Sequence, residues 1–137
     1  MKKILLLVVL AVAVWFAWTR FQPLSLEGHP VPEASRVVTV SGDVAFDVAD
    51  KLERDTWTLV LFASSQTAEE RTLARQLEVS VRKDHDTVRL VIVDLQGLES
   101  AAAVQHGIRE LPTLWLYEGY RQVTKRRADI ERAVFGE

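Results

Sequence analysis

The sequence predicts an α/β domain built on a mixed β-sheet and preceded by an N-terminal hydrophobic helix. Three observations carry this prediction: an apolar start without acidic residues, apolar strand-like runs that alternate with helical spacing, and a closing pair of strands around a glycine turn. At 137 residues, the chain has room for one domain and an appendage.

The first predicted element is a hydrophobic helix over residues 1–20. Lys2 and Lys3 precede an uncharged apolar run over residues 4–18, a pattern typical of a signal anchor or transmembrane helix. This run covers about 22 Å of a hydrocarbon layer of about 30 Å, so flanking residues have to complete a span. A cleaved signal peptide is the alternative, and the only A-x-A of the N-terminal segment lies at residues 11–13. Since the lysines precede the run, we expect a single-pass protein of the cell inner membrane with its domain on the periplasmic or extracytoplasmic side.

The next segment, residues 21–35, contains three of the four prolines and is predicted to be a linker between the membrane and a domain at residues 36–137. After residue 20 the chain carries 14 basic and 19 acidic residues, a net charge of −5, which argues against a nucleic-acid partner. There is no cysteine, so the core of this domain has to fold without disulfides.

The domain alternates between strand and helix patterns. Buried strands are indicated by continuous apolar runs, and helices by apolar residues four apart, such as Val44, Val48 and Leu52, which are predicted to share one buried helix face. A capping box from Thr67 to Glu70 marks a helix start, and Gly107 marks a helix end. Helices between the first strands predict a parallel core, and the final hairpin adds an antiparallel edge. The predicted strands are 36–40, 56–63, 87–95, 113–117 and 121–126. The predicted helices are 41–54, one that starts at Thr67 and continues through Val81, 100–106 and 128–135.

The strand that ends in Phe62 and Ala63, Asp94 at the end of the third long strand, and the segment GIRELPTLWLY at residues 107–117 resemble a thioredoxin-fold domain. The resemblance covers residues 37–135 and implies a three-layer α/β/α sandwich. It also implies that Pro112, the only proline of the domain, is cis and borders a substrate groove.

Thioredoxins carry a C-x-x-C pair at the turn after the second strand, where a thiolate attacks disulfides. In this alignment Gln66 and Glu69 stand at the two cysteine positions, and Val60 stands at the position of a buried aspartate. The resemblance therefore implies a redox-inactive member, with no thiol-disulfide oxidoreductase activity and no cofactor.

Without the cysteines and the buried aspartate, the feature of the family that the resemblance still implies is its substrate-binding geometry. In that family the residue before the cis-proline pairs with an extended substrate segment, a form of β-augmentation. This implies a site for a protein or peptide segment formed by Leu111 and Pro112 on one wall and by Ser65, Gln66 and Glu69 on the other. The alternative is that these residues only shape the strand entry and cap a helix.

Two other groups of residues have side chains that can carry chemistry. Ser64 or Ser65 with His106 and Asp94 has the residue types of a hydrolytic triad, but the sequence has no G-x-S-x-G motif. The Asp-His-Asp run at residues 84–86 is typical of a solvated turn, so we expect no metal site. The sequence thus predicts a membrane-tethered scaffold or protein-binding module without catalytic residues, and the alternative is a non-thiol enzyme that uses the turn at residues 64–69.

Overall fold

The computed structural model describes residues 2–21, 25–123 and 127–136, with the side chains of residues 2 and 16–21 left aside. In the described part of the chain, five strands form one sheet: β1 Val37–Ser41, β2 Trp57–Ala63, β3 Val88–Asp94, β4 Thr113–Glu118 and β5 Arg121–Val123. Their order in the sheet is β1-β3-β2-β4-β5. β1 and β2 both pair in parallel with β3, whereas β4 pairs antiparallel with β2 and β5 pairs antiparallel with β4. The mixed sheet with an antiparallel edge is therefore confirmed. The helices are α1 Lys2–Phe21, α2 Glu33–Arg36, α3 Ala68–Asp84, α4 Ala101–Gln105 and α5 Arg127–Phe135.

Helix α1 presents its apolar side chains to solvent. Its ten large apolar side chains between Ile4 and Trp15 are each 54% to 68% exposed. Within the ranges that the structure describes, no helix combines the length and the apolar character required to cross a membrane.

The sheet has a hydrophobic core on each face. On one face, alternate residues of β2 such as Leu59 and Leu61 pack against α3 and α5. On the other, Val60 and Phe62 pack against α4 and a 3₁₀-helix, Val48–Lys51. Every residue of β2 is buried, because this strand lies in the middle of the sheet with helical layers on both sides.

The helix predicted over residues 41–54 is wrong. β1 continues through Ser41, and the Gly42 N–H then donates to the Asp94 carbonyl at 2.7 Å. Because the chain is still tied to β3 at this point, a helix cannot begin at Ser41. Val44, predicted to lie on a buried helix face, is 71% exposed, and only the 3₁₀-helix forms afterwards. Gly42 also lies so close to β3 that a Cβ there would be 2.2 Å from Leu95 Cδ2.

The segment predicted to be a linker, residues 21–35, packs on the domain from Leu26 onwards. Leu26 packs against the core, Val31 is 4% exposed, and the Trp57 indole N–H donates to the Glu27 carbonyl at 2.8 Å. The prolines do not prevent the short helix α2, because Pro32 immediately precedes it, where its fixed φ is tolerated. Residues 22–24 lie outside the described residues.

Candidate functional site

The predicted site residues lie at one end of the sheet. β2 ends at Ala63 and α3 begins at Ala68, so Ser65 and Gln66 lie in the turn between them. Phe62 pairs with Thr113 in the antiparallel register, which places Pro112 beside the end of β2. The Leu111–Pro112 peptide bond is cis, as the resemblance implied. The sheet register therefore brings both predicted walls to the same edge.

The turn is held by a different network from the predicted capping box. The Thr67 side chain makes no capping hydrogen bond. The Glu70 carboxylate instead accepts from the Ser64 N–H at 3.0 Å, and the Ser64 hydroxyl accepts from the Gln66 N–H at 3.2 Å. Glu70 is only 8% exposed, and its carboxylate holds the backbone in place at the end of β2.

Ser65 is joined to the neighbouring strand through Asp94. Its N–H donates to Asp94 Oδ1 and its hydroxyl donates to Asp94 Oδ2, both at 3.0 Å. This two-bond bridge, here called the Ser65–Asp94 bridge, ties the turn to the last residue of β3. Sequence reasoning named both residues but did not predict their contact, which depends on β2 and β3 ending side by side.

The three residue types of a hydrolytic triad do not form a chain here. His106 Nε2 accepts from the Val48 N–H at 3.4 Å, so its Nδ1 carries the proton and donates to the Ala102 carbonyl at 2.7 Å. The ring lies among Phe46, Phe62 and Trp115. Both ring nitrogens of His106 therefore bond to groups other than Ser65 and Asp94, and these two residues bond to each other.

The histidine of the Asp-His-Asp run has a structural contact. His85 Nε2 lies 2.6 Å from the Val134 carbonyl oxygen, so this side chain joins the end of α3 to α5.

Two clefts open beside the predicted residues. Glu69 lines one of about 500 Å³ between α3 and α5, and Pro112 lines another of about 380 Å³ between β4, β5 and α5. Arg127 borders both clefts and bonds to Glu131 with Nε to Oε1 at 2.9 Å. Arg127 is the residue that sequence reasoning missed as part of the site, because only the packing of α5 across the sheet brings it there.

The remaining predicted residues lie outside the linings of these two clefts. Ser65 and Gln66 are exposed on the turn, and the side chain of Leu111 is half-buried against the core around Phe62. Trp115 lines the cleft at Pro112 and also packs edge-on against Phe62, with ring centroids 4.8 Å apart, so it is partly buried against the core. The predicted residues therefore form a ridge of turn residues and a cleft wall, not a single enclosed pocket.

Leu111 presents backbone polar groups at this edge. It precedes β4, and neither its N–H nor its carbonyl has a hydrogen-bond partner among the described residues. An unpaired peptide group beside a strand end is the feature that an added strand uses.

One titratable side chain of the core face is perturbed. Burial raises the pKa of the Tyr117 phenol above its ordinary value of 10.0, and the nearby negative charge of Asp47 raises it further. Tyr117 lies toward the other end of β4, so this shift belongs to the packing of the 3₁₀-helix side of the sheet and not to the candidate site.

Comparison with known proteins gives structural matches only. Neither the family models nor the curated proteins match this sequence. Among solved structures, the long form of spinach chloroplast thioredoxin f superposes with a TM-score of 0.55 at 18% identity, over 76% of this chain and 89% of that chain.

Two further thioredoxins give the same picture. Thioredoxin f2 of Chlamydomonas reinhardtii matches with a TM-score of 0.54 at 20% identity, over 73% of this chain and 94% of that one. A thioredoxin of Malassezia sympodialis matches with a TM-score of 0.53 at 17% identity, over 79% and 95%. At such identities the likeness shows the fold alone. The domain therefore has a thioredoxin-like fold, in a chain that contains no cysteine.

Proposed function

We propose that this chain is a membrane-tethered, redox-inactive thioredoxin-like module that binds an extended protein segment beside Pro112, on the extracytoplasmic side of a cell inner membrane. The observation that carries the binding part is the backbone of Leu111, which has no hydrogen-bond partner within the described part of the chain. A partner strand that pairs with this peptide group is bounded on one side by the cleft at Pro112 and on the other by the exposed turn at Ser65 and Gln66.

The proposal assigns recognition, and no catalysis, to the turn. Gln66 and Glu69 carry no sulfur nucleophile, and the turn hydroxyls of Ser64 and Ser65 already take part in hydrogen bonds that hold the backbone. A preformed turn and a fixed strand end reduce the conformational entropy that a binding surface loses when it orders a ligand. No metal or cofactor is part of the proposal.

The membrane part rests on α1. Its exposed apolar side chains over residues 4–15 favour a lipid environment, and the lysines before them favour a cytoplasmic N-terminus. The apolar run at residues 4–18 is short for a span, so we propose that it inserts with help from its flanking residues. Flotation of the full chain with vesicles, compared with a chain lacking residues 2–21, tests this part: equal recovery in the soluble fraction would exclude it.

Site-specific photocrosslinking in intact membranes tests the binding part. A photoreactive residue at Gln66 or Glu110, on either side of the proposed strand position, is expected to capture the same protein. The matched control is Val79, which is 56% exposed on α3 but lies toward the end of the helix that is remote from the turn. Equal capture at all three positions, or capture at Val79 alone, would show that the partner does not use this edge.

A further inference from the structure

The segment between α1 and the domain is fixed to one end of the sheet. Residues 26–31, here called the strap, make hydrogen bonds with the domain through their backbone. The Trp57 indole N–H donates to the Glu27 carbonyl at 2.8 Å, and the Val31 N–H donates to the Asp86 carbonyl at 2.7 Å. The Thr87 hydroxyl donates to the Leu26 carbonyl. The strap is therefore part of the domain and not a free spacer.

The strap and the candidate site lie at opposite ends of the parallel strands. Trp57 is the first residue of β2 and Thr87 immediately precedes β3, whereas Ser65 and Asp94 follow or end these same strands. β3 runs from Val88 to Asp94, and at about 3.3 Å per residue it separates the two ends by about 20 Å. The turn at Ser65 extends beyond that distance.

The chain between α1 and the strap is too short to let the candidate site face the membrane. From Phe21, the last residue of α1, to Leu26 there are five residue steps, which span about 18 Å at full extension. If the candidate site faced the membrane, Leu26 would have to stand more than about 20 Å from the membrane surface, which exceeds this reach.

We propose that the strap orients the domain on the bilayer, with the Leu26 and Trp57 end towards the lipid surface and the Ser65 and Pro112 end towards the aqueous compartment. This inference rests on the proposed membrane insertion of α1. The membrane-facing end carries a cleft of about 380 Å³ in which Gly28 and His29 of the strap lie beside Tyr120 of the hairpin. The partner of the candidate site is then a protein that approaches from the aqueous side, and not a segment lying in the headgroup layer.

The test uses the full chain in vesicles, and the absence of cysteine allows a single label to be placed. Tyr120→Cys marks the strap end, where the side chain is 65% exposed, and Gln66→Cys marks the exposed turn. Each is labelled with a fluorophore, and nitroxide lipids quench from the headgroup layer. We expect quenching at position 120 to be stronger by at least about twofold, because the two ends differ in height by about 20 Å.

A longer tether is the matched control. A Gly/Ser insertion of about twenty residues after Gln22 adds an r.m.s. end-to-end distance of about 25 Å, and it is expected to equalise quenching at the two positions. Equal or reversed quenching in the original chain would overturn the proposed orientation, as would an asymmetry that survives the insertion. If the labelled full chain does not float with the vesicles, the membrane insertion of α1 is wrong and the orientation falls with it.

Discussion

Removal of the Asp94 carboxylate is expected to loosen the turn that forms one wall of the candidate site. Asp94→Ala deletes both acceptors of the Ser65–Asp94 bridge, each at 3.0 Å. Hydrogen bonds to charged groups contribute about 1.5–3 kcal/mol each when desolvated, but Ser65 is exposed, and water replaces part of what is lost. We therefore expect the free energy of unfolding to fall by about 1.5–2.5 kcal/mol in total.

Two milder variants divide this effect. Ser65→Ala removes only the hydroxyl bond, and Asp94→Asn keeps one carbonyl oxygen for the Ser65 N–H while its amide can donate to the hydroxyl. Each should cost about 0.5–1 kcal/mol. Asp43→Ala is the matched control at the same end of the sheet, since the Asp43 carboxylate accepts only a 3.4 Å bond from the exposed Gln96 side chain.

Urea unfolding of the full chain in mild detergent, followed by tryptophan fluorescence, measures these differences. In thermal unfolding, a loss of about 2 kcal/mol corresponds to a Tm lower by about 8 °C for a domain of this size. If Asp94→Ala and Asp43→Ala had the same small effect, the bridge would not hold the turn. In that case the turn would not be a preformed wall of the proposed binding site.

Three further predictions concern the framework around the site. Gly42→Ala is expected to lower the free energy of unfolding by about 1–3 kcal/mol, because the added Cβ meets buried atoms at the end of β3. Gly97→Ala should be nearly neutral, since its Cβ meets the flexible Glu99 carboxylate, and equal losses for the two variants in urea unfolding would contradict this packing. Leu77→Ala, at a fully buried position, should cost about 2–5 kcal/mol, and Val79→Ala, exposed on the same helix, should stay within about 0.5 kcal/mol; comparable losses would refute the burial of this face. The pKa of the buried Tyr117 phenol should lie above 10.0, so its contribution to stability is present below pH 10.0 and is lost as the pH rises through the pKa of the folded state. Phenolate absorbance that shows an ordinary or lowered pKa would contradict this burial.

Elements with strong local patterns were predicted well. β2 and β3 are nearly continuous apolar runs, and α3 repeats Leu73, Leu77 and Val81 four residues apart, all of which are buried. These patterns specify both the period and the buried face, because a central strand or an amphipathic helix has one way to hide them. Gly107 ends α4 at φ +66°, as its freedom from a Cβ predicts.

Elements whose local pattern conflicted with a tertiary contact were predicted wrongly. The spacing of Val44, Val48 and Leu52 is helical, yet β1 and Gly42 are bound to the end of β3, and that pairing prevails over the local preference. Likewise, the T-x-x-E pattern predicted a local capping box, whereas Glu70 bonds to Ser64 at the end of β2. In each case a hydrogen bond to a distant or preceding element satisfied the backbone better than the local motif.

The sequence by itself determined the alternation of strands and helices and the absence of cysteine, because these depend on residue types and on local periodicity. Only the tertiary structure decided that Asp94 holds Ser65, that Arg127 borders both clefts and that the strap binds one end of the sheet. Those contacts join residues far apart in the chain, and such pairs are set by how the layers pack rather than by any pattern along the sequence.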